Sequence, residues 1–214
     1  MKNKCRIIAN AVLAVTVFTV WILSFFFWRD GMLGGSGWSD LKYFTVLSNL
    51  FTGVVAVIWL VTYAVKGETP TWISTLKYVS AVAVFVTFTV VVVFLGPLYG
   101  YGRMYHGANL FFHLLIPLFA VAEEAIFGED VSFKQSFFAC APPLLYGIGY
   151  LSNCLVNGIG SWDTVRNDWY SFLEWGYGVG VVIFLVICAV AWGLGLAIRA
   201  LMKTARKMQW EGKV

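Results

Sequence analysis

The chain has 214 residues, 60% of them hydrophobic and only 12% charged, with a formal net charge of +4. A soluble domain carries about twice that charged fraction, and the mean hydropathy of +0.78 excludes an ordinary soluble globular protein in favour of an integral membrane one. The basic residues gather at the chain ends and on alternate loops, so the positive charge reads as membrane topology and not as a nucleic-acid surface.

Six apolar segments follow one another, at roughly 7–27, 41–64, 76–96, 108–127, 134–156 and 173–199, each near the roughly twenty residues that a bilayer requires. Hydrocarbon offers the backbone no partner, so each segment must satisfy its own peptide groups as a helix. The expected fold is all-α: a single polytopic domain over 1–214, a bundle of six transmembrane helices. The first segment follows "MKNKCR" and imitates a signal peptide. It is long and ends in "SFFFWRD" without a small-residue cleavage site, so we expect a retained first helix. Turn residues concentrate after segments one, three and five, and the connections after two and four are tighter. Pro142 and Pro143 interrupt segment five, as a gating hinge or as a packing bend. Cys5, Cys140, Cys154 and Cys188 include no CxxC pair, so inert thiols are expected rather than a disulfide framework or a zinc site.

Charge orients the bundle. With both termini inside, the inner side holds Lys2, Lys4, Arg6, Lys66, Lys77, Lys134, Arg199, Lys203, Arg206, Lys207 and Lys213, and the outer side holds Arg29, Lys42, Arg103 and Arg166. An excess of that size places both termini in the cytoplasm. Trp28, Trp38, Trp162, Trp169 and Trp175 then form an outer interfacial belt.

Segment two opens with "LKYFTVLSNLFTG". Thr45, Ser48, Asn49 and Thr52 stand at i, i+3, i+4 and i+7, one stripe of a helix. Thr45 lies roughly 6 Å below the outer end of its segment, and His113 on segment four roughly 8 Å below, at 1.5 Å per residue. His106, Asn109 and His113 form a second stripe. Pro117 lacks an N–H and so frees the carbonyl four residues back, that of His113. Asn153 and Asn157 end segment five at the same level, and Asp168 and Glu174 precede or open segment six there.

Within reach of a hydroxyl, a neutral histidine takes its proton as it attacks a carbonyl and returns it to the leaving alcohol. The amides of Asn49, Asn109 or Asn153 are candidate oxyanion donors, and Ser48 is the alternative nucleophile. Whether a carboxylate, Asp168 or Glu174, orients His113 stays open. The competing readings are structural: Ser, Thr and Asn in membrane helices commonly join helices or bond back to the preceding turn. A metal is not expected, because His106 and His113 lack further ligands at close spacing, and no cofactor is expected either. Glu123 and Glu124, in the inner half of segment four, are expected to pair with Lys134 or to reach the inner interface, with a proton or ion path as the sharper alternative.

The stretches "YFTVLSNLFTG" and "NLFFHLLIPLFAVAEE" resemble the androgen-induced and androgen-dependent TFPI-regulating protein family and its bacterial relatives, and "DWYSFLEWGYG" is similar to the aromatic-acidic stretch of the latter. The resemblance implies a six-helix membrane protein that hydrolyses fatty acid esters of hydroxy fatty acids, with its nucleophile at Thr45 and its histidine at His113. The chain departs from the eukaryotic pattern at "NLFFH", where those members carry a second histidine beside the asparagine. The expectation is therefore an intramembrane lipid-ester hydrolase of the cell membrane, acting on a fatty acyl ester. The alternatives are a channel or transporter using the polar stripe, and a purely structural membrane protein.

Overall fold

The structure, a computed structural model, describes residues 2–27, 37–161 and 165–212. Trp28, Arg29, Trp162 and Lys213 lie outside them. Among the described residues every regular element is helical, and six helices are long and apolar enough to cross a membrane. We label them α1 (Lys2–Phe26), α2 (Phe44–Lys66), α3 (Thr71–Tyr99), α4 (Ala108–Phe127), α5 (Phe133–Asn157) and α6 (Tyr177–Trp210). A 3-10 turn, Gly37–Lys42, leads into α2.

The bundle core is formed by α1 to α4, with α6 packed on α3, α4 and α5. Lipid tails are as apolar as side chains, so van der Waals fit between helices must hold such a bundle together. Gly53 illustrates this on α2: a Cβ there would lie 2.7 Å from Val17 Cγ1, so only glycine admits α1 at this distance. Leu13, Val17, Ala56, Val84, Ile116 and Ala120, all buried, pack together in one apolar cluster.

Arg6, near the start of α1, and Arg206, near the end of α6, both reach the short loop between α4 and α5 at Glu129 and Gly128. Both ends of the chain therefore lie at one end of the bundle, called here the terminal end. The opposite end carries the start of α2 and α4, and there Trp38 and Trp175 are largely exposed.

The helices depart from ideality where proline dictates. α3 contains a π-helical turn at Val91–Leu95 and α4 one at Phe111–Leu115. In each, the last regular bond joins residues five apart, Gly96 to Val91 and Ile116 to Phe111. The next N–H in that register belongs to Pro97 or Pro117, which has none. The carbonyls opposite the prolines in this register are those of Val92 and Phe112. Side chains fill both: Tyr101 Oη donates to Val92 at 2.7 Å and Asn49 Nδ2 to Phe112 at 3.1 Å. Pro117 is expected from sequence to free the carbonyl of His113; the carbonyl that a side chain is seen to fill is that of Phe112, one residue earlier. In α5, Pro142 and Pro143 open the regular α stretch after a 3-10 turn at Phe137–Cys140.

α6 begins at Tyr177, not near 173, because Asp168 holds the preceding residues in a turn. Its carboxylate accepts from Phe172 N at 2.9 Å, from Leu173 N at 3.1 Å and from the Tyr150 hydroxyl.

Candidate functional site

The polar stripe of α2 divides into three residues that join helices and one that does not. Ser48 donates to the Thr45 carbonyl at 3.1 Å and lies 3.0 Å from the Thr87 hydroxyl of α3. Thr52 Oγ1 is 3.0 Å from the Ser48 carbonyl and 3.1 Å from the Ser80 carbonyl. Asn49 Nδ2 donates to the Thr45 carbonyl at 2.7 Å and to Phe112. The structural reading of this stripe therefore holds for Ser48, Asn49 and Thr52. Among the described residues the Thr45 hydroxyl makes no hydrogen bond.

His113 lies on α4 and is 2% exposed. Its Nδ1 is 2.8 Å from the Met104 carbonyl. A carbonyl only accepts, so Nδ1 carries the proton, and the lone pair of the neutral ring is on Nε2. The group that orients the imidazole is thus a main-chain carbonyl. Asp168 is occupied in its own turn, and Glu174 is exposed and 4.0 Å from Arg166.

Asn49 fixes the relation between the two residues. One amide holds the carbonyl of Thr45 and the carbonyl of the residue preceding His113, so the first turn of α2 and the π turn of α4 are joined at one level. The spacing of segments two and four predicts that level independently.

The candidate oxyanion donors separate in the same way. Asn49 Nδ2 is occupied by two carbonyls. Asn153 Oδ1 accepts from Asn157 at 2.9 Å near the exposed end of α5. Asn109, one turn before His113, is 2% exposed, and its Nδ2 has no partner among the described residues. A donor that sequence reasoning missed is the main chain of Thr45. Phe44 N is bonded to Tyr170 Oη at 3.1 Å and Val46 N to Tyr43 at 3.1 Å, whereas Thr45 N, between them, makes no bond with the described residues. First-turn N–H groups lack helix partners, which is readable once the start of α2 is known. His106 departs from its predicted stripe: it lies before α4, exposed, while Asn109 and His113 are buried.

Comparison with family models, curated proteins and solved structures finds no match.

The other polar concentration is at the terminal end, and it corrects the expectation for Glu123 and Glu124. Neither pairs with Lys134, which is exposed on α5. Glu123 lies 2.8 Å from Lys77 Nζ and 3.3 Å from Arg6 Nε, and Glu124 lies 3.7 Å from Arg6 Nη2. Arg6 and Lys77 stand near the starts of α1 and α3, the level at which α4 ends, and carboxylates buried there need those charges more than a surface lysine. A cavity of about 480 Å³ opens beside this cluster, lined among others by Arg6, Trp59, Tyr63, Gly128 and Glu129.

Proposed function

We propose that this protein is an intramembrane ester hydrolase, with Thr45 as nucleophile and His113 as general base and acid. The observation that carries the reading is the Asn49 bridge, which joins the turn bearing Thr45 to the turn bearing His113. The unoccupied hydroxyl of Thr45 and the free lone pair on His113 Nε2 support it. His113 Nε2 takes the hydroxyl proton as Thr45 Oγ1 bonds to the ester carbonyl carbon. The oxyanion is met by the free N–H of Thr45 and by Asn109 Nδ2. As the C–O bond breaks, Nε2 returns the proton to the leaving alcohol. Water, deprotonated by the same nitrogen, then releases the acid and restores Thr45.

Apolar helices around the site favour an acyl chain as the rest of the substrate, in keeping with the family resemblance and its fatty acid esters of hydroxy fatty acids. We place the site at the outer face of the cell membrane, with both termini cytoplasmic, on the distribution of Lys and Arg. A channel along the polar stripe would have to cross the apolar cluster of Leu13, Val17, Ala56, Val84, Ile116 and Ala120 and then pass a cluster closed by ion pairs.

The test is labelling by a fluorophosphonate probe in membranes, followed by hydrolysis of a long-chain acyl ester. Wild type should label and hydrolyse, while Thr45→Ala and His113→Ala should do neither. Equal labelling of Thr45→Ala would remove Thr45 as the nucleophile.

A further inference from the structure

The ion cluster at the terminal end, buried except for Glu129, holds one more carboxyl group than it has cations within ion-pair distance. Within ion-pair distance, Arg6 meets Glu123 at 3.3 Å, Glu124 at 3.7 Å and Glu129 at 3.4 Å, and Lys77 meets Glu123 at 2.8 Å. Two cations therefore face three carboxyl groups. Tyr78 of α3 is within electrostatic reach of Glu124 and of Arg199 of α6, whose Nε donates to the Val131 carbonyl at 2.6 Å. Glu129 is partly solvated, its side chain 44% exposed, so the cost of several kcal/mol for a poorly compensated buried ion falls on Glu123 or Glu124.

The three carboxyl groups are not equivalent. Glu129 is the best supplied: its Oε1 accepts from Thr69 at 2.7 Å and its Oε2 from Ser74 at 2.6 Å. Glu123 Oε1 accepts from Asn10 at 2.8 Å and from Arg6. Glu124 is fully buried, and neither of its oxygens has a hydrogen-bond partner among the described residues. A carboxylate is an acceptor only, so this is the group least suited to the missing charge.

Glu124 lies one residue behind the cavity wall. Gly128 lines that cavity, and a Cβ built on it would stand 2.6 Å from Glu124 Oε1. The same Cβ would stand closer still to the Glu124 main-chain oxygen, so Gly128 packs directly on both the backbone and the carboxyl of Glu124. Glu129, with its side chain 44% exposed, lines the same cavity and shares Arg6 with Glu124.

We propose that Glu124 is a proton-binding site, loaded from the cavity at the terminal end past Gly128 and Glu129. One proton taken from water brings the two cations and three carboxyl groups to neutrality. Its release leaves a carboxylate that competes with Glu129 for Arg6, so occupancy is coupled to the packing of α1 against α4. Entry is from the terminal end, where the cavity opens. The proposal is independent of the hydrolase chemistry.

Infrared spectroscopy of the full chain in liposomes of known protein orientation tests it, comparing wild type with Glu124→Gln and with Glu68→Gln at the exposed rim. At neutral pH the wild type should show the carbonyl band of a protonated carboxylic acid, shifted in heavy water. The band should be lost in Glu124→Gln and kept in Glu68→Gln. Raising the pH on the terminal-end side should remove it, and raising the pH on the other side alone should not. A wild type without the band, a band that survives in Glu124→Gln, or a band that answers only to the opposite side overturns the proposal. Loss of the band on adding sodium at constant pH would make this a metal-cation site and overturn it equally. The sidedness measurement uses the wild type alone, so it stands if Glu124→Gln does not fold.

Discussion

The side-chain amide of Asn49 donates to the carbonyl of Phe112 at 3.1 Å, across the interface of α2 and α4, at the carbonyl opposite the missing N–H of Pro117. One residue thus repairs a gap that proline opens, and in doing so sets the level of Thr45 beside that of His113.

Replacing Asn49 by alanine leaves the Phe112 carbonyl buried without a donor. An unsatisfied buried acceptor costs about 1–3 kcal/mol, so Asn49→Ala should lower the thermal midpoint in detergent. On the proposed hydrolase function, ester turnover should fall more than stability alone explains, because both turns of the site lose their common tie. Midpoint and ester turnover measured on the same preparation check this.

Tyr101 acts on His113 at one remove. Its hydroxyl on Val92 fastens the short helical turn Tyr101–Met104 to α3, and the Met104 carbonyl at the end of that turn holds Nδ1 of the imidazole. The Tyr101 side chain is 45% exposed, and its one hydrogen bond is worth about 0.5–1.5 kcal/mol. Tyr101→Phe should therefore fold nearly as well as wild type while, on the proposed hydrolase function, kcat drops several-fold at little-changed KM. An unaltered kcat would show that the turn holds Met104 without it.

Lys77 and Glu123 form the shortest ion pair of the terminal end, with side chains 2% and 1% exposed. Breaking a buried pair by removing one partner costs about 3–5 kcal/mol, since the other charge stays buried. Lys77→Met should destabilise by that order, and the double variant with Glu123→Gln should recover a large part of the loss. A double-variant cycle of denaturation midpoints measures the coupling.

Asp40, in the 3-10 turn outside the spans, is 6% exposed with Oδ1 unpartnered among the described residues. Burial raises its carboxyl above the ordinary range, more than nearby Lys42 lowers it. A group whose pKa is raised on folding adds stability that is present below its unfolded value, about 3.9 for aspartate, and lost as pH rises through the folded value. Asp40→Asn should therefore raise the thermal midpoint at neutral pH, with the difference disappearing as pH falls below about 4. Midpoints of both proteins across that range check the sign.

Composition and periodicity alone determined six helices long and apolar enough to cross a membrane, because the requirement for about twenty apolar residues per crossing acts on each segment separately. Depth was legible too: residue rise along α2 and α4 set Thr45 and His113 at a common level before any packing was known. The partner of each polar group was not. Ser48, Asn49 and Thr52 look alike in the stripe, yet only the apposition of α3 and α4 decides that they are occupied and that the Thr45 hydroxyl is not. In the same way Glu123 and Glu124 found Arg6 and Lys77, more than forty residues away in sequence, and not Lys134 nearby. A hydrogen bond or ion pair between helices depends on their rotation and register, which long-range packing sets and local sequence does not encode.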